Sequence, residues 1–202
     1  MTVEPAVAVV ARKQVSRRKL LDAARSLFIE RGYHDTRPQD IARAAGVGHG
    51  TFYLHFADKR ECFLAFVDEA ATEVHERVVQ HTKDAKDIEG YVRGVFEGCQ
   101  AYNGEHPNVL AAAMVDATVI GGSESGAPLV HRWAHEWTER IEDMMSKRLV
   151  SGKIDPRVAG HAIVGAIQQA FVGCARDGLG YQEVLDGVIE FIVRALGSGR
   201  AG

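Results

Sequence analysis

Pro38-Gln-Asp-Ile-Ala-Arg-Ala-Ala-Gly-Val-Gly-His-Gly-Thr-Phe-Tyr-Leu-His-Phe56 is the stretch that decides the fold of this 202-residue chain. It describes two short helices joined by a tight turn at Gly46. Glycine permits the left-handed backbone such a turn needs, and Ala42, four residues earlier, is small enough for the helices to pack closely. Ile41, Ala45, Val47, Phe52 and Phe56 supply apolar contacts. On a wheel of about 100° per residue, Phe52 and Phe56 fall within roughly 40° of each other and face inward. Gly50 and Leu54 then point outward, flanked by Thr51 and Tyr53, with His49 at the helix start. That outward face has no acidic residue. Its glycine allows close backbone approach, Thr51 and His49 can bond base edges or phosphates, and the Tyr53 hydroxyl can bond phosphate. A helical hairpin buried inside a bundle would explain the apolar residues. It would not explain the exposed Tyr53-Leu54-His55 run in basic surroundings.

The rest of the chain is helical in pattern. Apolar residues recur at helical spacing, as in Leu20, Ala24, Leu27, Phe28 or Ile163, Ala166, Ile167, Ala170. Pro38, Pro107 and Pro156 fit helix starts, where a missing N–H costs nothing, and Asp155 is placed to cap the helix after it. The expectation is an all-α fold of about nine helices. They lie near 14–31, 38–45, 49–55, 58–82, 87–104, 107–119, 127–150, 156–177 and 181–196, with a loop over 121–126. Residues 1–13 are expected to form a disordered arm, 14–60 a helix-turn-helix head and 61–202 a helical body.

Charge follows the same division. Residues 1–60 hold 11 Lys/Arg and 6 Asp/Glu, a net +5, whereas the remainder carries −8. A basic head on an acidic body suits an anionic partner for the head. The apolar run Ala6 to Ala11 follows Glu4 rather than a basic flank, and no run reaches a membrane-spanning length, so neither a signal peptide nor a membrane partner is expected. The three cysteines, Cys62, Cys99 and Cys174, have neither metal-ligand nor disulfide spacing, which fits a reducing cytoplasm.

Within this frame the head resembles the DNA-binding domain of the tetracycline-repressor (TetR) family. The likeness runs through Leu21-Asp-Ala-Ala-Arg-Ser-Leu-Phe28, Arg31-Gly-Tyr33, Asp40-Ile-Ala-Arg-Ala-Ala-Gly-Val47, Gly50-Thr-Phe-Tyr53, His55-Phe56 and Asp58-Lys59. The resemblance implies an all-α homodimer that binds a double-stranded DNA operator, with an effector bound by its variable C-terminal part. It implies that Gln39, His49, Gly50, Thr51, Tyr53 and Leu54 meet DNA, and that Lys59 matches a phosphate-contacting lysine. His55 falls within the same motif and is placed with the DNA set. Gly48 stands where the family has Ser or Thr as a cap, a change of a few tenths of a kcal/mol. Arg37-Pro38 replaces the usual Ser/Thr-Val pair and adds Arg37 as a cation beside the groove, a role inferred from its position. Arg12, Lys13, Arg17, Arg18 and Lys19 are either phosphate contacts or solvated charge.

The body is less informative. The resemblance implies that helices between about 58 and 177 enclose a small-molecule pocket, and that the last two helices form the dimer bundle. Its candidate lining is Phe66, Phe96, Cys99, Tyr102, Met114, Trp133, Trp137, Met144 and Phe171, for each of which plain core packing competes. An apolar or aromatic effector suits that set. Gly90, Gly94 and Gly98 form a stripe that calls for a close neighbouring helix or for empty ligand volume, with weak helix geometry there a third option; Gly94 and Gly98 are placed in the pocket set. Dimerisation rests on Ile163, Ala166, Ile167 and Ala170 with Val184, Leu185, Val188, Ile189, Ile192 and Val193. His131 and His135, with Glu139 a turn on, have metal-capable spacing, but a hydrated face is the simpler reading, and no metal or cofactor is expected. No nucleophile elbow or phosphate-cradling loop is present, so an enzyme is not expected. The competing class is a helical ligand- or metal-binding protein, or an enzyme, without DNA binding.

Overall fold

The computed structural model describes residues 4–114, 128–150 and 153–197. Among these the chain forms nine helices: α1 (Glu4–Asp35), α2 (Pro38–Ala44), α3 (His49–Tyr53), α4 (Lys59–Thr82), α5 (Ile88–Glu105), α6 (Val109–Ala113), α7 (Pro128–Ser146), α8 (Pro156–Arg176) and α9 (Tyr181–Leu196). They group into two compact units. One comprises residues 1–72 and 106–128, the other 73–105 and 129–202. The loop expected over 121–126 lies outside the described residues.

The first unit is built on aromatic packing. Leu20, Leu21, Ala24, Leu27 and Phe28 of α1 are buried with Ile41, Phe52, Phe56, Phe63 and Phe66. The Phe28 ring meets Phe63 edge-on at 5.1 Å and tilts against Phe66 at 5.8 Å. Phe66, expected in the pocket, is packed in the core of this first unit. α1 is interrupted at Gly32, whose φ of 77° stops the regular helix where the sequence places its end. Thr36, fully buried, donates its hydroxyl to the Gly32 carbonyl at 2.8 Å and fixes the chain leaving that break. At its other end α1 starts at Glu4, ahead of the expected start at residue 14. Pro5 suits a first helical turn, and nothing between it and Gly32 breaks a helix.

The second unit packs α5, α7, α8 and α9 around Tyr91, Val92, Phe96, Trp137, Ile141, Met144, Ile163, Val164, Val188, Ile189 and Ile192. Carboxylates cap its helices: Asp87 Oδ1 accepts from the Gly90 N–H at 2.8 Å, and Asp155 Oδ1 from the Arg157 N–H at 2.9 Å. The Arg157 side chain and N–H together hold the Asp155 carboxyl down to about 2. α7 ends at Ser146, four residues before its expected end at 150, because Arg148 turns left-handed with φ 58°. Its N–H returns to the Met145 carbonyl and that of Leu149 to Met144, which lets Leu149 and Val150 fold back on the core.

Glycine sets the closest approach in this unit. A Cβ on Gly94 would stand 2.6 Å from the His81 carbonyl oxygen, and one on Gly98 2.8 Å from Val78 Cα. Gly94 and Gly98 thus form a seam where α5 lies backbone-to-backbone on the last turns of α4, whereas a Cβ on Gly90 would meet only Asp87 and Ala85. That removes Gly94 and Gly98 from the pocket lining. α7 and α8 repeat the device at Gly160, where a Cβ would stand 2.5 Å from the Ala134 carbonyl oxygen.

Candidate nucleic-acid interface

The turn between α2 and α3 is built from backbone alone. Gly46 takes φ 67°, the Gly46 N–H bonds the Arg43 carbonyl at 3.1 Å, and the Val47 N–H reaches Ala42 at 3.0 Å. Gly48 caps α3 without a side chain; its carbonyl accepts from the Thr51 N–H at 2.8 Å. Phe52 is fully buried, and that anchor fixes which side of α3 faces water. On the open side Tyr53 is 51% and Leu54 72% exposed, with His49 and Gly50 also exposed and Thr51 half-buried. The His49 ring stands edge-on to Tyr53 at 5.2 Å, so the two are held as a pair. Exposed Gln39 lies in the first turn of α2, and exposed Arg37 precedes it as the N-cap residue.

Two residues assigned to this face behave differently. Half-buried His55 turns toward α1, its Nε2 2.7 Å from Ser16 Oγ. Burial, with Lys13 and Arg17 adding to it, holds its pKa below the ordinary imidazole value. Ser16 Oγ also lies within hydrogen-bond distance of the Arg12 and Lys13 carbonyls, at 3.1 and 3.0 Å, so the contact sits on the α1 backbone. The wheel contains this signal: His55 falls about 60° from Phe52, on the inward side. Lys59 is half-buried and donates to the carbonyls of Tyr33 at 2.7 Å and His34 at 3.3 Å, with its ammonium 4.2 Å from the Tyr33 ring centroid. It ties the end of α1 to the start of α4 and keeps one donor for an outside anion. Burial lowers its pKa first, against Asp35.

In the second unit Phe96, Trp137 and Met144 are core residues, with Trp133 packed against them. Tyr102 is fully buried and donates its hydroxyl to Glu73 at 2.6 Å. Cys99 is half-buried, and burial pushes its thiol up to about 11. Met114 belongs to the first unit, at the end of α6. Phe171 lies in α8 with its side chain outside the described residues. An open cleft of about 270 Å³ has a different lining: His75, Val78, Val79, Thr82, Tyr91, Glu136, Glu139, Arg140 and Asp143. The expected lining was chosen for apolar bulk, and the apolar bulk is used in the core. His135 pairs with Glu139 at 3.5 Å in the open, and His131 lies against His161 with ring centroids 6.1 Å apart. Among the described residues no three metal-capable side chains converge.

The expected dimer stripe also divides. Ile163, Val184, Leu185, Val188, Ile189 and Ile192 are buried within the chain itself. Among the described residues, the large apolar side chains exposed on α8 and α9 are Val158, Tyr181 and Phe191, with Gly187 and Ala195 beside Phe191 in a shallow groove.

A helix-turn-helix with an exposed, acid-free second helix is the arrangement found in the helix-turn-helix class of DNA-binding domains. Residues 20–66 match the family model described as bacterial regulatory proteins, tetR family. The chain is 33% identical over 66 residues to the fatty acid metabolism regulator protein of Bacillus subtilis, covering 33% of this chain and 34% of that protein. It is 34% identical over 93 residues to the transcriptional repressor KstR2 of Rhodococcus jostii, covering 44% and 46%. The matched stretches thus span between a third and a half of these relatives. A TetR-family transcriptional regulator from Pectobacterium atrosepticum has the same fold, with a TM-score of 0.63, 27% identity and coverage of 92% and 96%. Over residues 20–66 the chain is thus similar to the TetR family of bacterial regulators, and it shares the fold of one of them.

Proposed function

We propose that the chain is a sequence-specific DNA-binding transcriptional regulator of the cytoplasm: a repressor that a small-molecule effector releases from a palindromic operator. The observation that carries the reading is the open face of α3. Leu54 at 72% and Tyr53 at 51% exposure are costly to leave in water, and they stand beside His49 and Gly50 with no carboxylate on the helix. Residues 14–60 serve as reading head and 61–202 as effector and dimerisation body. Base discrimination falls to His49 and Thr51. Tyr53, Gln39, Arg37 and the free donor of Lys59 hold phosphates, and His55 positions the helix rather than reading. An apolar or aromatic effector is supported by the half-buried Trp133 and Cys99 and by a relative named for fatty acid metabolism. It acts only through different affinities for the DNA-competent and released states; about 1.4 kcal/mol of difference gives tenfold release.

The operator is palindromic in this reading because the chain pairs through α8 and α9. Phe191, 55% exposed between Gly187 and Ala195, is the anchor of that contact. The parent chain should sediment at twice its 22.0 kDa mass at micromolar concentration. It should also select, from a random-sequence pool, inverted half-sites about 34–36 Å apart. Phe191→Glu should sediment as a monomer and bind the same duplex at least tenfold more weakly. A parent that sediments as a monomer, or selects unpaired half-sites, contradicts the paired arrangement.

A further inference from the structure

α1 begins well before the head core, whose first fully buried residue on that helix is Leu20. Between Glu4 and Asp22 the chain has five Lys/Arg and no Asp/Glu. Arg18 is neutralised by Asp22 at 2.5 Å and Glu69 at 2.7 Å. Arg12, Lys13 and Arg17 are exposed and, among the described residues, pair with no carboxylate. These cations are not remote from the reading helix. Ser16, in their midst, bonds His55 just past the end of α3, and the Arg17 guanidinium lies 5.1 Å from the Phe56 ring centroid. Lys13 and Arg17 both depress the His55 pKa, after burial, so their field is felt at that end of α3. With its face on Phe56, Arg17 still has its N–H edge free to bond.

We propose that Arg12, Lys13 and Arg17 form a second DNA contact, made to backbone phosphates flanking the base-reading helix. It rests on the DNA-binding reading and lies outside the family match, which starts at Leu20. Unpaired cations on a helix carry no base code, so this contact supplies affinity and register but not sequence preference. It extends the footprint of each head beyond the major groove read by α3.

The test is fluorescence anisotropy over a salt series with two probes: a duplex selected by this chain from a random-sequence pool, and a scrambled duplex of equal length. Removing one cation from a phosphate should flatten the slope of log affinity against log salt by about 0.9. Arg12→Gln/Lys13→Gln should therefore lower the slope by nearly two per bound protomer on both probes and leave their affinity ratio unchanged. Both side chains are exposed, so the variant should melt like the parent; Arg17→Gln is measured separately because Arg17 also covers Phe56. An unchanged slope in Arg12→Gln/Lys13→Gln overturns the proposal, as does a collapsed affinity ratio at constant slope. A parent that binds neither probe at any salt is a different result and removes the DNA-binding reading itself.

Discussion

Phe52→Ala should cost the first unit about 3–5 kcal/mol and abolish DNA binding without touching the second unit. Phe52 is fully buried, lies tilted against Phe56 at 5.6 Å, and is the single residue buried from α3. A helix of five residues has too few internal hydrogen bonds to hold itself, so its orientation depends on that one anchor. Truncating a buried Phe removes its transfer energy and leaves a cavity, and a loss of that size is a large fraction of a small unit's stability. Both tryptophans, Trp133 and Trp137, lie in the second unit, so their fluorescence follows the surroundings of α7. Urea unfolding followed by tryptophan emission should match the parent, while hydrogen exchange in α1–α3 should lose protection. Retained protection there, with retained DNA binding, would show that α3 is not held through Phe52.

Gly98→Ala should destabilise the second unit by about 1–3 kcal/mol, against the direction of helix propensity. In an open helix the change would stabilise by up to about 1 kcal/mol. Here the added Cβ would stand 2.8 Å from Val78 Cα and 2.9 Å from its nitrogen, and backbone cannot step aside as a flexible side chain can. α5 and α4 would have to part along the seam. Gly104, on the same helix with nothing within 4 Å of its would-be Cβ, is the control, and Gly104→Ala should be neutral or stabilising. The midpoints of tryptophan-detected urea unfolding should move in opposite directions for the two variants. If both rise together, the glycine stripe is not a close-packed seam.

The helices are legible because periodicity and capping residues act locally. Asp155 before Pro156 and Gly32 after Arg31 mark boundaries that any tertiary context preserves. Where expectation and structure part, the deciding term is non-local. Arg148 takes a left-handed turn that its residue type does not advertise, because Leu149 and Val150 gain burial on the core. The Gly94–Gly98 stripe announces a reason to lack side chains but not which neighbour supplies it. Periodicity shows that a face is smooth, not what lies on it. The same limit applies to Phe66, Phe96 and Trp137. A large apolar residue looks alike whether it lines a cavity or fills one. On α9 the apolar residues that periodicity finds are those buried inside the chain, and Phe191, flanked by Glu190 and Arg194, does not stand out. The reading helix is the most legible part, because Phe52 and Phe56 fix its orientation from two positions a turn apart. His55 joins the outward set only if the same wheel is ignored.

The most direct test of the central claim, that the open face of α3 reads sequence, is a competitive anisotropy titration of the parent chain and His49→Ala. The probes are the selected duplex and its scrambled counterpart at one fixed salt concentration. The parent should prefer the selected duplex by roughly 10³-fold or more, as specific DNA-binding proteins do. His49→Ala should lose about 1–3 kcal/mol of that preference while its affinity for the scrambled duplex stays the same. A parent that binds both duplexes equally, or a His49→Ala chain that keeps the full preference, would contradict the assignment.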